Sequence, residues 1–316
     1  MTAFRTEITP KKEHFQIDYK SKVLLIGSCF TEHISKKLDY FKFDTLTNPF
    51  GIVFNSSAIK TAVSHCVLNK IYAKADLNNH NNLWSSFNHH SQFSNPDLET
   101  TLTGINSKIT EAHKFIKEAS HIVITLGTAW VYTEKESGKI VANCHKIPQQ
   151  NFTKSLQSIP QITSDLDNIS KEIESVNPHA KLLFTVSPVR HLRNGFAENM
   201  LAKAHLIAAV HHHISNNDNS YYVPAYEIMM DDLRDYRFYE ADMIHPNSTA
   251  VNYIWDYFKS SWLSDKANTT MIKIDSIQKD LQHRPFNINT DAYKNFKQNL
   301  DKKIAAIAAI HPSIKF

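Results

Sequence analysis

Glycine is scarce in this chain. Six occur in 316 residues, at positions 27, 51, 104, 127, 138 and 195, against a usual share of about 7%. A sequence this sparing is expected to place glycine where a side chain would not fit. Cysteine is nearly as rare. Cys29, Cys66 and Cys144 are odd in number and unrelated in spacing, which argues against a disulfide framework or a zinc ribbon and fits a reducing compartment. No apolar run approaches the roughly eighteen residues of a membrane span. Met1–Tyr19 lacks the apolar core of a secretory leader, so the expected setting is cytoplasmic. No large excess of either charge is present: 35 basic and 31 acidic residues give a formal net charge of +4, without the basic stripe that nucleic acid requires. The expectation is a small-molecule partner, with no nucleic acid and no membrane.

What is present is an alternation of strand and helix. Val23–Ile26, Phe43–Leu46, His121–Leu126, Lys181–Val186 and Tyr221–Pro224 read as strands. The clearest of them are continuous apolar runs of the kind buried on both faces. Phe30, Ile34 and Leu38 then recur every fourth residue, and Ser56–Val67, Ile162–Val176, Phe196–Ser215 and Thr249–Trp262 carry apolar residues at helical spacing. This order predicts an α/β fold, a three-layer α/β/α sandwich around a five-stranded, mostly parallel sheet. Residues 1–264 read as one domain, with an insertion at about 69–120 that is long enough for a functional or lid-like loop. Within it, Trp84–Phe93 is rich in aromatics and histidine, and suits a substrate wall or an interior anchor equally. Residues 265–316 read as a helical extension whose stripe of Tyr293, Phe296, Leu300, Ile304 and Ile307 packs back on the domain.

The chemistry-bearing residues fall after the strands. Ser28 follows Gly27 at the end of the first strand and opens a helix, where free N–H groups gather. A nucleophile suits that rim of a parallel sheet, and a helix cap suits it as well. In Asp242-Met243-Ile244-His245, a carboxylate three residues before an imidazole can reach Nδ1 and leave Nε2 free as a base. The pair follows the last strand, so topology brings it to the same edge as Ser28. Asn48-Pro49-Phe50-Gly51 is a turn after the second strand, whose backbone N–H groups suit an oxyanion. Cys29 reads as a buried structural thiol.

Gly27-Ser28-Cys29-Phe30, Asn48-Pro49-Phe50-Gly51, Leu126-Gly127-Thr128-Ala129-Trp130, Asn143-Cys144-His145-Lys146, Ser187-Pro188-Val189-Arg190-His191 and Asp242-x-x-His245-Pro246 together resemble the GSCFA-domain family. That family is similar to the SGNH (GDSL-like) hydrolase superfamily. The resemblance implies ester hydrolysis through a serine, without metal or other cofactor. It assigns Ser28 as nucleophile, His245 as general base, Asp242 as the residue orienting it, and the N–H groups of Ser28 and Gly51 as oxyanion donors. The superfamily's Gly-x-Asn motif is absent, since Gly127-Thr128-Ala129 stands in its place. The Thr128 hydroxyl, or Asn143 and His145 from the next loop, would replace that donor. Asn48, Asn143, His145, Arg190 and His191 are the candidate substrate-binding residues. The expected substrate is a small acyl ester, such as an acetylated carbohydrate. An O-acyltransferase would use the same acyl-enzyme, and a catalytically silent binding module would explain the missing asparagine.

Overall fold

A computed structural model describes residues 6–316. Each of the five strand runs forms a strand: β1 (Lys22–Gly27), β2 (Asp44–Thr47), β5 (His121–Leu126), β9 (Lys181–Val186) and β10 (Ser220–Tyr222). They make one sheet in the order β10-β9-β5-β1-β2, and every pairing in it is parallel. The chain leaves β1 for β2 on one side and returns to its other side as β5. Strand β1 is therefore the switch point, and open α/β sheets form their binding crevice beyond the carboxyl end of such a strand.

Alternation along the strands sorts the core into two layers. Leu24 and Ile26 of β1 face one side, together with Ile122, Ile124 and Phe184. There they meet α2 (Ser56–Val67), α3 (Leu98–Glu118), α4 (Ile159–Val176) and α5 (Phe196–Ile214). Val23 and Leu25 face the opposite side, with Val123 and Leu183. That face is covered by α1 (Cys29–Tyr40), through Phe30, Ile34 and Leu38, and by α7 (Ser248–Trp262), through Ile254, Trp255 and Phe258. Each aliphatic side chain so enclosed contributes about 1.5–3 kcal/mol. The single turn α6 (Ala225–Glu227) runs into a π-turn at Ile228–Leu233 on this face.

Two regions differ from the sequence reading. Residues 69–120 are not a long loop. They hold a short hairpin, β3 (Asn78–His80) with β4 (Leu83–Ser85), and then the 21-residue helix α3. Asp97 caps that helix by accepting the Thr100 N–H at 2.7 Å, and Ile105, Ile109, Ala112 and Ile116 bury its inner stripe. The second addition is a three-stranded antiparallel sheet of β7 (Ile140–Val141), β6 (Trp130–Glu134) and β8 (Phe152–Leu156). At the carboxyl end, α8 (Asp265–Gln282) and α9 (Asp291–Ile310) pair through Ile274, Ile277, Leu300 and Ile307, against which Tyr19 and Phe41 pack. Among the described residues, no helix is long and apolar enough to cross a membrane.

Candidate active site

Ser28 caps α1. Its Oγ accepts the Phe30 N–H at 3.3 Å, its own N–H donates to the Thr125 carbonyl at 3.1 Å, and it is only 1% exposed. Gly27 makes that approach of β1 to β5 possible. Its φ is +147°, and a Cβ there would lie 2.2 Å from the Thr125 carbonyl oxygen.

The turn after β2 leans on the same point. Asn48, in the left-handed region at φ 45°, accepts the Gly27 N–H on Oδ1 at 2.9 Å and donates its own N–H to Leu25 O at 2.8 Å. The bond from Gly27 fixes which side-chain amide atom is oxygen, and so which is nitrogen. That nitrogen, Nδ2, is buried and has no partner among the described residues. Gly51, expected to offer its N–H to an oxyanion, donates it instead to the Asn48 carbonyl at 2.7 Å. The backbone N–H groups of both Ser28 and Gly51 are thus engaged, and among the described residues the Asn48 side chain is an unpaired amide donor at this rim.

Asp242 holds His245 from several sides. Oδ2 lies 2.7 Å from His245 Nδ1, while Oδ1 accepts the N–H groups of Ile244 at 2.8 Å and His245 at 3.0 Å. The backbone donor of His245, its imidazole and the Ile244 N–H together pull the Asp242 carboxyl down to about 2. Nε2 is left without a partner among the described residues, so the tautomer with hydrogen on Nδ1 presents a basic nitrogen outward. Both side chains are over two-fifths exposed, and no hydrogen bond joins His245 to Ser28. His33, on the first turns of α1, and His191 both feel the charge of His245, and Ile244 O accepts the Arg190 N–H just beyond β9, so the histidine loop sits at the carboxyl edge of the sheet.

The remaining candidates divide. Arg190 serves the histidine loop: its N–H donates to Ile244 O at 3.2 Å, and its guanidinium lies 4.1 Å from the Tyr239 ring centre. His191 sits under the rim beside Gly127, with Nε2 buried and unpaired; burial first, then Lys203 and His245, push its imidazole down to about 3. The Thr128 hydroxyl accepts the Trp130 N–H at 3.2 Å, and its backbone N–H goes to Phe54 O. Asn143 and His145 line a cavity of about 500 Å³ to which the Asn48–Asn55 turn contributes Ile52 and Phe54, and whose lining does not include Ser28, Asn48 or His245. In the Trp84–Phe93 run, His89 is fully buried and stacks on Phe50 at 4.2 Å, which anchors the turn from beneath, while His90 lines the cavity. Burial and the nearby Glu32 raise the Cys29 thiol, which disfavours a thiolate nucleophile.

The sequence reading missed Lys203. It is 1% exposed, and its ammonium donates to Gly127 O at 2.7 Å and Ser187 O at 2.6 Å, tying together the carboxyl ends of β5 and β9. Its place on the buried stripe of α5, beside Asn199, Ala202 and Leu206, was the available signal. Asn199 likewise accepts the His191 N–H at 2.8 Å. Among the described residues, no three His, Cys, Asp or Glu side chains are grouped to hold a metal.

The model of the GSCFA family matches residues 22–258, and that of the GSCFA domain protein C-terminal domain matches residues 274–316. No curated protein matches the chain. Similar solved structures include a carbohydrate esterase family 3 protein from Talaromyces cellulolyticus, 8% identical, covering 81% of this chain and 99% of that one at a TM-score of 0.36. A Bacteroides fragilis protein named as an acylhydrolase is 11% identical, with 83% and 91% covered and a TM-score of 0.42. An acetyl xylan esterase from Butyrivibrio proteoclasticus is 10% identical, with 76% and 64% covered and a TM-score of 0.39. These are distant likenesses of outline, and none of them fixes a residue of this site.

Proposed function

The chain belongs to the GSCFA family, and from that premise we propose that it is a serine-dependent ester hydrolase working through an acyl-enzyme on Ser28. The observation that carries the reading is the Asp242–His245 pair: an oriented imidazole with a free Nε2 among the described residues, on a loop held to the carboxyl edge of the sheet by the Arg190 N–H. In the proposed cycle His245 Nε2 takes the Ser28 hydroxyl proton as Oγ attacks the ester carbonyl. The tetrahedral oxyanion then collapses, and the alcohol leaves with the proton from His245. Water, deprotonated by the same nitrogen, attacks the acyl-enzyme; the bond to Ser28 Oγ breaks, that oxygen takes the proton back from His245, and the acid is released. Asp242 keeps the imidazole in its tautomer and stabilises the imidazolium.

Asn48 Nδ2 is the donor we assign to the oxyanion. It is one hydrogen bond away from Gly27, and an unpaired buried amide costs roughly 1–3 kcal/mol that an oxyanion would recover. The near-complete enclosure of Ser28 supports a small acyl group, acetyl-like in size, carried by a carbohydrate or a similar alcohol. One observation favours a catalytically silent binding module instead: the Ser28 N–H is already donated to Thr125.

A fluorophosphonate probe followed by peptide mapping separates the two. Labelling of Ser28 that is lost in His245→Ala is the expected result. A folded protein that takes no label would leave the binding module, and product analysis with a sugar acceptor would divide hydrolysis from acyl transfer.

A further inference from the structure

We infer that the cavity beside the Asn48–Asn55 turn binds an acidic sugar, a hydroxylated ring with an apolar face that carries a carboxylate or a phosphate. Only the ligand's role as substrate rests on the hydrolase reading; its chemistry follows from the lining. At about 500 Å³ the space suits one or two sugar-sized rings. Phe54, Tyr132 and Phe152 supply aromatic surface, the kind of wall on which the apolar face of a sugar ring rests.

The charged groups of the lining are all of one sign. Lys146 and Arg193 stand at the cavity, and no carboxylate lines it among the described residues. Among the described residues, the Lys146 ammonium lies at the cavity with no carboxylate in the lining, and the Arg193 guanidinium donates to the neutral Gln149 amide oxygen at 3.3 Å. Two cations without an acid between them leave room for a charge-assisted, bidentate contact from Arg193. The floor does not compete for the anion. His145 donates Nε2–H to the Ser86 carbonyl at 2.7 Å, and burial lowers its pKa. The one charge felt by the Cys144 thiol is that of Arg193.

The backbone at this point is also unusual. His145 and Lys146 are consecutive non-glycine residues in the left-handed region, at φ 48° and 60°. The Asn143 side chain holds them by accepting the His145 N–H at 2.9 Å. Such a conformation is costly and persists where its surroundings impose it. Its effect is to fix the stretch that carries Lys146 at the wall.

The test is isothermal titration of the full chain with glucuronate, glucose 6-phosphate and glucose at low salt. At least one anion should bind about tenfold or more tighter than glucose, and which anion does so distinguishes carboxylate from phosphate. The preference should shrink with added salt and vanish in Lys146→Gln/Arg193→Gln, whose exposed positions leave the fold intact. Equal affinities, no binding of any of the three, or a preference that survives the double substitution would each overturn the inference. Ser28 labelling is read separately, so an intact anion preference without labelling would remove the hydrolase and keep the site.

Discussion

Asp242 Oδ2 lies 2.7 Å from His245 Nδ1, and the other oxygen of the same carboxylate accepts the His245 backbone N–H at 3.0 Å. The imidazole and the peptide that carries it are thus held by one side chain. Arg190 secures the loop from outside, with its guanidinium against Tyr239 and its N–H on the Ile244 carbonyl.

Asp242→Asn tests that arrangement. It keeps the shape and removes the charge that sets the tautomer, so kcat/KM on 4-nitrophenyl acetate should fall roughly 10²–10⁴-fold. Because the pair is exposed, the urea midpoint should hardly move. The depressed carboxyl remains ionised until pH falls towards about 2, so Asp242 should contribute no acidic limb to the wild-type rate profile near neutrality. Unchanged activity in this variant would rule out the assigned role.

Asn48→Asp isolates the amide nitrogen. The aspartate retains the oxygen that accepts the Gly27 N–H and tolerates the left-handed backbone, but it loses the donor. The expected outcome is a kcat lower by roughly 10²–10³-fold with little change in KM. A loss confined to KM would point to substrate binding instead.

Lys203 gives a pH signature in stability. Burial lowers its ammonium to about 7, against an unfolded value near 10.4. Between those limits the unfolded chain holds the extra proton, so unfolding free energy should rise with pH across that window and be flat in this respect below it. Urea titrations at stepped pH should show the rise in the wild type and lose it in Lys203→Met. That variant also leaves the Gly127 and Ser187 carbonyls without their donor, at a cost of about 1–3 kcal/mol. A slope shared by both proteins would assign it to another group.

Two glycine substitutions should act in opposite directions. Gly27→Ala meets the Thr125 backbone at a φ of +147°, and should destabilise by about 3 kcal/mol or more because neither strand can move aside. Gly104→Ala lies on the exposed side of α3, with nothing within 4 Å of the new methyl group. It should stabilise by about 0.5–1 kcal/mol. Matched chemical denaturation curves check both.

Much of the scaffold was legible because its signals are local. Val23–Ile26, His121–Leu126 and Lys181–Val186 are apolar without interruption, as strands covered on both faces must be. Helix α3 carried an equally readable stripe of Ile105, Ile109, Ala112 and Ile116 behind an Asp97 cap. The long polar stretch ahead of it, Asn78–Pro96, masks where that helix begins. The strands of the small antiparallel sheet are half-exposed and short, so their alternation was weak.

The sequence by itself determined the strand order along the chain, the rim on which Ser28 and the Asp242–His245 pair fall, and the bond within that pair. Those follow from periodicity and from a three-residue separation. Only the tertiary structure decided where the remaining hydrogen-bonding groups point. Fold packing commits the Ser28 and Gly51 N–H groups to other carbonyls, leaves Asn48 Nδ2 unpaired, draws Lys203 between two strand ends, and turns Lys146 and Arg193 to one cavity. Each depends on partners distant in the chain, and no local pattern encodes the direction of a side chain toward a neighbour that only folding supplies.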